Sequence, residues 1–363
     1  PYRPKHWTKV SLDGYKDGDF AMTIGYPGTT NRYLSSYGIK ERRDADNAPR
    51  AQVRGVKQQI MIRHMRADEA VRIKYDSKYA QSSNYWKNSI GMNKCIDSIG
   101  IIREQRIKAY QDSTGYLKGK LDFDKMKDLY AKRFDVQYVF TNWIEAFNRT
   151  SEFNTRALQV LGGMEVKGPK DKPAKQYVQF EDNSNAWDEA LDKDVMAALL
   201  KNYREHVDAK YLPACYAKID KDFGGDYKDF VDYLYAKSIL MKSGEKIFFN
   251  KKNYKNDPGV QYGLDIKAIY DEVIEKIRAL APEIKQQERF LCDAKVRMEE
   301  DLPHYSDANF TMRLSYGQVK DLVVGGKPAG YYTTSESIVE KMNTGDKVVD
   351  YYAEPELRDL MSA

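Results

Sequence analysis

Residues 265–280, with the sequence DIKAIYDEVIEKIRAL, carry the most regular apolar pattern in the chain. Their apolar side chains recur at spacings of three and four, at Ile266, Ile269, Tyr270, Val273, Ile277 and Leu280. This spacing places apolar side chains on one side of an α-helix and charged side chains on the other. The stretch therefore predicts a long amphipathic helix within a helical core. Pro282 is expected to break or kink that helix.

The same helical pattern extends outward from this stretch, from about Asn47 to about residue 300. Trp187, Leu191, Val195, Leu199 and Tyr203 recur every four residues. Asp122 is a suitable N-cap for a helix that carries Leu129, Val136, Phe140, Trp143 and Phe147 on one side. The segment 167–175 and the segment 242–259 are rich in Pro, Gly and Lys, and they predict exposed loops.

Both ends of the chain show a β pattern instead. Near the start, Val10, Leu12 and residues 20–24 (FAMTI) are strand-like, and two Asp-Gly dipeptides separate them. Near the end, Phe310, Met312, Leu314 and Tyr316 alternate with polar residues. This order predicts a helical block inserted into a β domain. Neither end can close a sheet by itself, so we expect partner strands outside this sequence, because natural proteins avoid bare strand edges.

Composition narrows the functional classes. Of the 363 residues, 42% are hydrophobic and 31% are charged, and the net charge of +5 comes from cations and anions that are mixed along the chain. A nucleic-acid binder concentrates its basic residues on one stripe, and only residues 246–255 (KIFFNKKNYK) are locally basic. No apolar run approaches the ~18 residues of a membrane span. The first residues, PYRPKHW, do not resemble a signal peptide, so either one has been removed or the chain begins within a longer protein.

No catalytic constellation is visible in the sequence. There is no GxSxG or Gly-Asn-Ser-Gly turn, no phosphate-binding loop and no spacing typical of metal ligands, so neither a metal nor a cofactor is expected. His64 and His206 fall inside helical patterns among charges, which favours packing or surface roles. Cys95, Cys215 and Cys292 are far apart and form no CxxC motif. From the residues alone, three kinds of protein remain possible: a binding protein, a structural protein or part of an enzyme.

Three segments in order carry a family resemblance. They are residues 21–39 (AMTIGYPGTTNRYLSSYGI), 83–94 (SNYWKNSIGMNK) and 306–317 (SDANFTMRLSYG). Together they resemble the family-46 serine dipeptidyl-peptidases, the group that includes dipeptidyl-peptidases seven and eleven. The resemblance covers nearly the whole chain and is weakest over residues 168–255.

The resemblance implies a mainly α fold. A helical cap domain, residues 46–303, would be inserted between β segments of a chymotrypsin-like double β-barrel. Residues 1–45 would end one barrel segment, and residues 304–363 would return into the barrel.

The resemblance also implies an activity. Such hydrolases are exopeptidases that release dipeptides from the free N-terminus of oligopeptides through Ser-His-Asp acyl transfer. They are exported to the periplasm or cell surface of Gram-negative bacteria and form homodimers. Their His and Asp precede the segment that matches Pro1, and their Ser follows the segment that matches Ala363. We therefore expect this chain to be an internal piece of such an enzyme, with no catalytic residue of its own, that gates the active site.

One binding role follows from the resemblance. In the family an Asn on the helical domain holds the α-amino group of the substrate, and Asn84 is our first assignment, with Asn88 one helical turn away as the alternative. A carboxamide oxygen accepts hydrogen bonds from an ammonium group without adding charge. Without the resemblance, either residue would be read as a helix-surface or capping Asn.

Two rival functions stay open. A non-enzymatic helical protein that binds peptides or acts as a scaffold would hold a complete β layer within these residues. A nucleic-acid binder that uses the basic loop would show strongly salt-dependent affinity.

Overall fold

The computed structural model describes residues 3–113, 121–165, 177–182, 184–248, 256–332, 334–343, 351 and 353–362. The chain divides into two compact units. We call Tyr33–His304 the helical unit, and Pro1–Arg32 together with Tyr305–Ala363 the β unit.

The helical unit begins with α1 (Ser36–Glu41), which continues through a π-helical turn (Arg42–Asn47) into α2. Its further helices are α2 (Ala48–Ala67), α3 (Glu69–Ser113), α4 (Phe123–Phe147), α5 (Glu152–Glu165), α6 (Glu189–His206), α7 (Cys215–Phe223), α8 (Tyr227–Lys237) and α9 (Pro258–Met298). Short 3₁₀ turns lie at Ser184–Ala186, Ala209–Tyr211 and Ile239–Met241. Several helices start where the sequence supplies a cap: before α4, the Asp122 carboxylate accepts from the Lys125 N–H at 2.8 Å, as predicted.

Strands are few and short in the described part of the chain. They are β1 (Phe20–Gly25), β2 (Tyr177–Gln179), β3 (Lys246–Phe248), β4 (Arg313–Gln318), β5 (Val323–Val324) and β6 (Lys327–Pro328). They pair as three two-stranded antiparallel sheets, β1 with β4, β2 with β3 and β5 with β6. The complete β layer that a self-contained scaffold would need is absent from the described residues. Two short helices, α10 (Glu336–Asn343) and α11 (Pro355–Ser362), complete the β unit.

The apolar stripe of α9 organises the helical core, as the sequence predicts. Ile266 and Val273 are completely buried, and the backbone oxygen of Ile266 accepts a hydrogen bond of 2.7 Å from the Trp143 indole of α4. The helix does not end at Pro282 but continues to Met298. It is held on both sides of the proline, because its first half packs in one apolar cluster and its second half, with Ile284 and Leu291, packs in another.

The β unit is built differently. Phe20, Met22 and Ile24 of β1 lie opposite Gln318, Tyr316 and Leu314 of β4 and so share one face of the pair. The five apolar side chains on this face are all more than half exposed. We call them the exposed β face.

Two strand predictions are wrong. Val10 and Leu12 form no strand and are 87% and 94% exposed, since no described segment pairs with them. The strand predicted from Phe310 begins at Arg313 instead, as β4. Phe310 has φ of 63°, a left-handed conformation that cannot continue a strand.

Within the described residues, no helix combines the length and the apolar character that a membrane crossing requires.

Candidate functional site

The predicted substrate-binding asparagines lie on α3. This helix begins after Asp68, whose carboxylate accepts from the Ala70 N–H at 2.7 Å. Asn84 and Asn88 are both exposed and lie one turn apart, so they follow the same flank of the helix. Neither side chain has a hydrogen-bond partner among the described residues, so both carboxamides are available to a ligand.

The residues between them anchor α3 to α2. The Arg54 guanidinium of α2 lies 4.9 Å from the centre of the Tyr85 ring, which is half exposed. A Cβ atom on Gly55 would lie 3.5 Å from the Trp86 indole nitrogen. The glycine therefore permits close packing of α2 and α3 directly below the asparagines.

A cavity of about 430 Å³ opens beside this flank. Side chains from α2, α3, α6 and the α4–α5 junction line it, and Ser82 and Tyr85 connect it to the asparagine flank. Its lining contains four cationic side chains, Arg54, Lys57, Lys78 and Arg149, and three carboxylates, Glu145, Glu152 and Asp192. Apolar residues such as Met61, Leu191 and Val195 form the remaining wall.

Two of the carboxylates already have cationic partners. Glu145 is nearly fully buried and binds the Nε atoms of Arg50 and Arg54, at 3.0 and 2.7 Å. Glu152 binds the Nε atom of Arg156 at 2.9 Å. Their charges are therefore compensated by neighbouring guanidinium groups.

The third carboxylate, Asp192, is compensated by uncharged donors. It accepts hydrogen bonds from the Glu152 N–H at 2.8 Å and from the Tyr235 hydroxyl at 2.5 Å, so it caps α5 from the side of α6. Burial raises the pKa of Asp192 to about 6, although these hydrogen bonds favour the ionised form.

The two lysines are less well compensated. Burial, and then the neighbouring Arg54, lowers the pKa of Lys57 to about 8. Burial also lowers the pKa of Lys78, whose ammonium donates to the backbone oxygen of Ala186 at 2.6 Å. Among the described residues, neither ammonium has a carboxylate within ion-pair distance.

The histidines take packing positions. His64 Nε2 lies 2.9 Å from Asp194 Oδ2, and the Arg63 guanidinium binds the same oxygen at 2.9 Å, so this pair links α2 to α6 within a charged cluster. The His206 ring meets the Gln52 amide at 3.1 Å. In the part of the chain that is described, no cluster of three or more His, Cys, Asp or Glu side chains could hold a metal ion.

The sequence placed Asn84 and Asn88 on a helix but missed the cavity next to them. A signal for it was present. Lys57 falls four residues after Val53 and four before Met61, on the buried stripe of α2, and Asp192 adjoins Leu191 on the buried stripe of α6. A charged residue on an apolar stripe indicates a polar space inside the core, but the stripes do not show that both groups reach the same space.

Comparisons with known proteins show that this protein belongs to a class of peptidases. A model of the family described as Peptidase S46 matches residues 1–363. The chain belongs to the Peptidase S46 family, which confirms the resemblance seen in the sequence.

Its relatives include dipeptidyl-peptidases. The chain is 34% identical over 384 residues to Dipeptidyl-peptidase 7 of Porphyromonas endodontalis, with 99% of this chain and 45% of that protein covered. It is 28% identical over 364 residues to the Asp/Glu-specific dipeptidyl-peptidase of Porphyromonas gingivalis, with 94% and 50% covered. The chain therefore spans about half the length of the curated relatives that it matches.

The fold matches a solved structure of the same family. The crystal structure of Porphyromonas endodontalis DPP11 in complex with the dipeptide Arg-Glu superposes with a TM-score of 0.75 at 23% identity. The match covers 100% of this chain and 54% of that one. This likeness shows that the helical fold is that of the family.

Proposed function

We propose that this chain is the helical, substrate-binding part of a serine-type dipeptidyl-peptidase, which releases dipeptides from the free N-terminus of oligopeptides. The observation that carries the proposal is the family match along the entire chain. The dipeptidyl-peptidase names of relatives at 34% and 28% identity support the reaction type. A family member solved with a bound dipeptide supports peptides as the ligand class.

Within that role, the helical unit gates the active site and Asn84 binds the α-amino group of the substrate, with Asn88 as the alternative. Both carboxamides are exposed and unpartnered in the described structure, and the packing of Tyr85 and Trp86 against α2 holds the helix that carries them. A fixed acceptor that binds the α-amino group holds the substrate by its N-terminal residue. Cleavage then occurs at a set distance from the N-terminus, as in an exopeptidase.

Hydrolysis itself is assigned to groups outside this chain. The sequence offers no nucleophile motif, and His64 is held in an ion-pair cluster rather than beside a serine. The exposed β face, with five apolar side chains in a two-stranded sheet, supports packing against further strands, such as those of a double β-barrel. Export to the periplasm or cell surface and homodimer formation belong to the same proposal.

The amine-binding role is tested by peptide binding to the intact chain. Isothermal titration of an Ala-Ala-Ala amide with a free N-terminus, against its N-acetylated form, should show weaker binding after acetylation. Asn84→Ala should weaken binding of the free-amine peptide about tenfold, which corresponds to the loss of one charged hydrogen bond.

The control is Asn256→Ala, which removes an exposed carboxamide from the turn that precedes α9. It should leave the affinity unchanged. An Asn88→Ala variant that loses affinity while Asn84→Ala keeps it would transfer the role to Asn88. Equal binding of acetylated and free peptides would refute amine recognition by this chain.

A further inference from the structure

The cavity beside the asparagine flank has a donor-rich lining that the amine-binding role does not use. An ammonium substrate needs acceptors, whereas the uncompensated groups of the cavity are donors. No described carboxylate lies within ion-pair distance of the Lys57 or Lys78 ammonium, although Asp192 and Glu145 partly offset the lowered pKa of Lys57, and Asp192 and Glu152 that of Lys78. The lining has one more cation than carboxylates.

Two further donors in this lining lack partners. The Ser82 hydroxyl and the Trp187 indole N–H are both buried atoms with no hydrogen-bond partner in the described structure. Ser82 is only 5% exposed. An indole N–H can only donate, so the missing partner of Trp187 is an acceptor. Both residues line the cavity, and buried polar groups are costly when they are left unpaired, so a ligand that reaches these two donors would be favoured.

The carboxylates of the lining do not compete for these donors. Glu145 and Glu152 are bound by arginines, and both oxygens of Asp192 face backbone N–H groups of α5 or the Tyr235 hydroxyl. Lys57 and Lys78 therefore interact with these carboxylates only at longer range and form no direct ion pair with them. The apolar wall of the cavity, which includes Met61, Leu191 and Val195, suits a ligand that combines one negative charge with an apolar part.

We propose that this cavity binds the carboxylate of a short peptide or acylated amino acid, with Lys57 and Lys78 as its counter-charges and with Ser82 and Trp187 as hydrogen-bond donors. The space of about 430 Å³ lies in the range of small-molecule sites and accommodates one or two residues. All of these groups lie in the helical unit, so the site does not depend on the proposed catalytic role.

The test uses ligands that cannot occupy an amine site. Isothermal titration of the full chain with N-acetyl-L-leucine should show saturable binding, and N-acetyl-L-leucine amide, which has the same shape without the charge, should bind at least tenfold more weakly. N-acetyl-L-glutamic acid α-amide separates the two sources of carboxylate, because it carries only the side-chain group. Stronger binding of N-acetyl-L-leucine assigns a C-terminal carboxylate, and stronger binding of the glutamate derivative assigns an acidic side chain.

The variant Lys57→Met removes the charge and keeps most of the length of the side chain. It should weaken N-acetyl-L-leucine binding at least tenfold, and the Lys57→Met, Lys78→Met double variant should abolish it. The matched control is Lys201→Met on the outer side of α6, where the side chain is 64% exposed, and it should bind like the parent. Unchanged thermal unfolding of each variant shows that the fold is retained.

Three results would overturn the proposal. The first is no binding of either carboxylate probe at millimolar concentration, and the second is equal binding of acid and amide. The third is equal or tighter binding of sulfate with the same dependence on Lys57, which would make the cavity a general anion site and not a carboxylate site. Because the probes are acetylated, their failure leaves the test of Asn84 with free-amine peptides unaffected.

Discussion

The helical unit buries its large apolar side chains, whereas the β unit leaves many of its own exposed. In the helical unit, Tyr203, Tyr262, Phe147 and Phe153 are fully buried, and even Arg156 is 2% exposed. In the β unit, the exposed β face leaves five apolar side chains more than half exposed on a single pair of strands. A two-stranded sheet is marginal without a further layer. The difference indicates that the described helices bury a core of their own, whereas β1 and β4 need a partner surface.

The sharpest test of this difference compares one phenylalanine from each unit. Phe153 is completely buried on α5, so Phe153→Ala should lower the free energy of unfolding by about 3–5 kcal/mol, from lost burial and the cavity left behind. Phe20 on β1 is 67% exposed, so Phe20→Ala should change it by less than about 0.5 kcal/mol. Urea unfolding followed by circular dichroism measures both. Similar losses for the two variants would mean that the exposed β face is buried in the protein as it exists.

A pH effect is expected in the helical unit. Burial raises the pKa of the Asp192 carboxyl from 3.8 to about 6. Between these two pH values the folded state keeps this proton, whereas the unfolded state has already released it. The contribution of Asp192 to stability is fully present below about pH 4 and is lost as the pH rises to about 6. At about 1.4 kcal/mol per pKa unit, the loss amounts to about 2–3 kcal/mol.

Asp192→Asn removes this titration and keeps a side chain that can accept from the Glu152 N–H. From pH 4 to pH 7, the free energy of unfolding should therefore fall less, or rise more, in the variant than in the parent. Because other groups titrate in both proteins, the double difference is the relevant quantity. A larger fall between pH 4 and pH 7 in the variant would contradict the raised pKa.

Close packing around Gly259 in the helical core predicts an intermediate loss of stability for a larger residue there. A Cβ atom on Gly259, near the start of α9, would lie 2.2 Å from Ser238 Oγ and 2.8 Å from Phe153 Cζ. Gly259→Ala should destabilise by about 1–3 kcal/mol through overpacking. Gly91→Ala on α3 is the matched control, since nothing lies within 4 Å of its added methyl group, and it should stabilise by about 0.5–1 kcal/mol. Equal effects on thermal unfolding would contradict the packing at Gly259.

The smallest effect on stability is expected on the exposed β face. The variant Met22→Thr, Ile24→Thr keeps β-forming residues and removes two exposed apolar side chains, which are 59% and 57% exposed. Its free energy of unfolding should stay within about 0.5 kcal/mol of the parent. Binding of an apolar dye such as ANS should fall, because an exposed apolar patch is its binding surface. Unchanged dye binding would show that the face is already covered.

The sequence predicted the elements of the helical unit better than those of the β unit. The stripe of α9, the recurring apolar residues of α6 and the Asp122 cap were readable because helical periodicity and capping are local and repeat over many residues. Strand β1 was readable from FAMTI, but Val10 and Leu12 looked equally strand-like, and only the presence of a partner strand decides between such segments. The turn at Phe310 depends on one backbone angle, for which a phenylalanine gives no warning.

The candidate site was predicted only in part. Asn84 was reached through a family motif and lies exposed on α3, but its binding role is still a prediction. The cavity was missed because Lys57, Lys78 and Asp192 come from three helices. Their convergence depends on how the helices pack, which no local pattern encodes.

We propose that this chain supplies substrate binding to a dipeptidyl-peptidase without carrying the catalytic groups. The most direct test is a dipeptidyl-fluorophore hydrolysis assay on purified chain whose intact mass has been verified at 42.0 kDa. The expected result is no hydrolysis at that mass. Hydrolysis at 42.0 kDa that a serine-directed inhibitor blocks would contradict it, because the nucleophile would then lie within these residues.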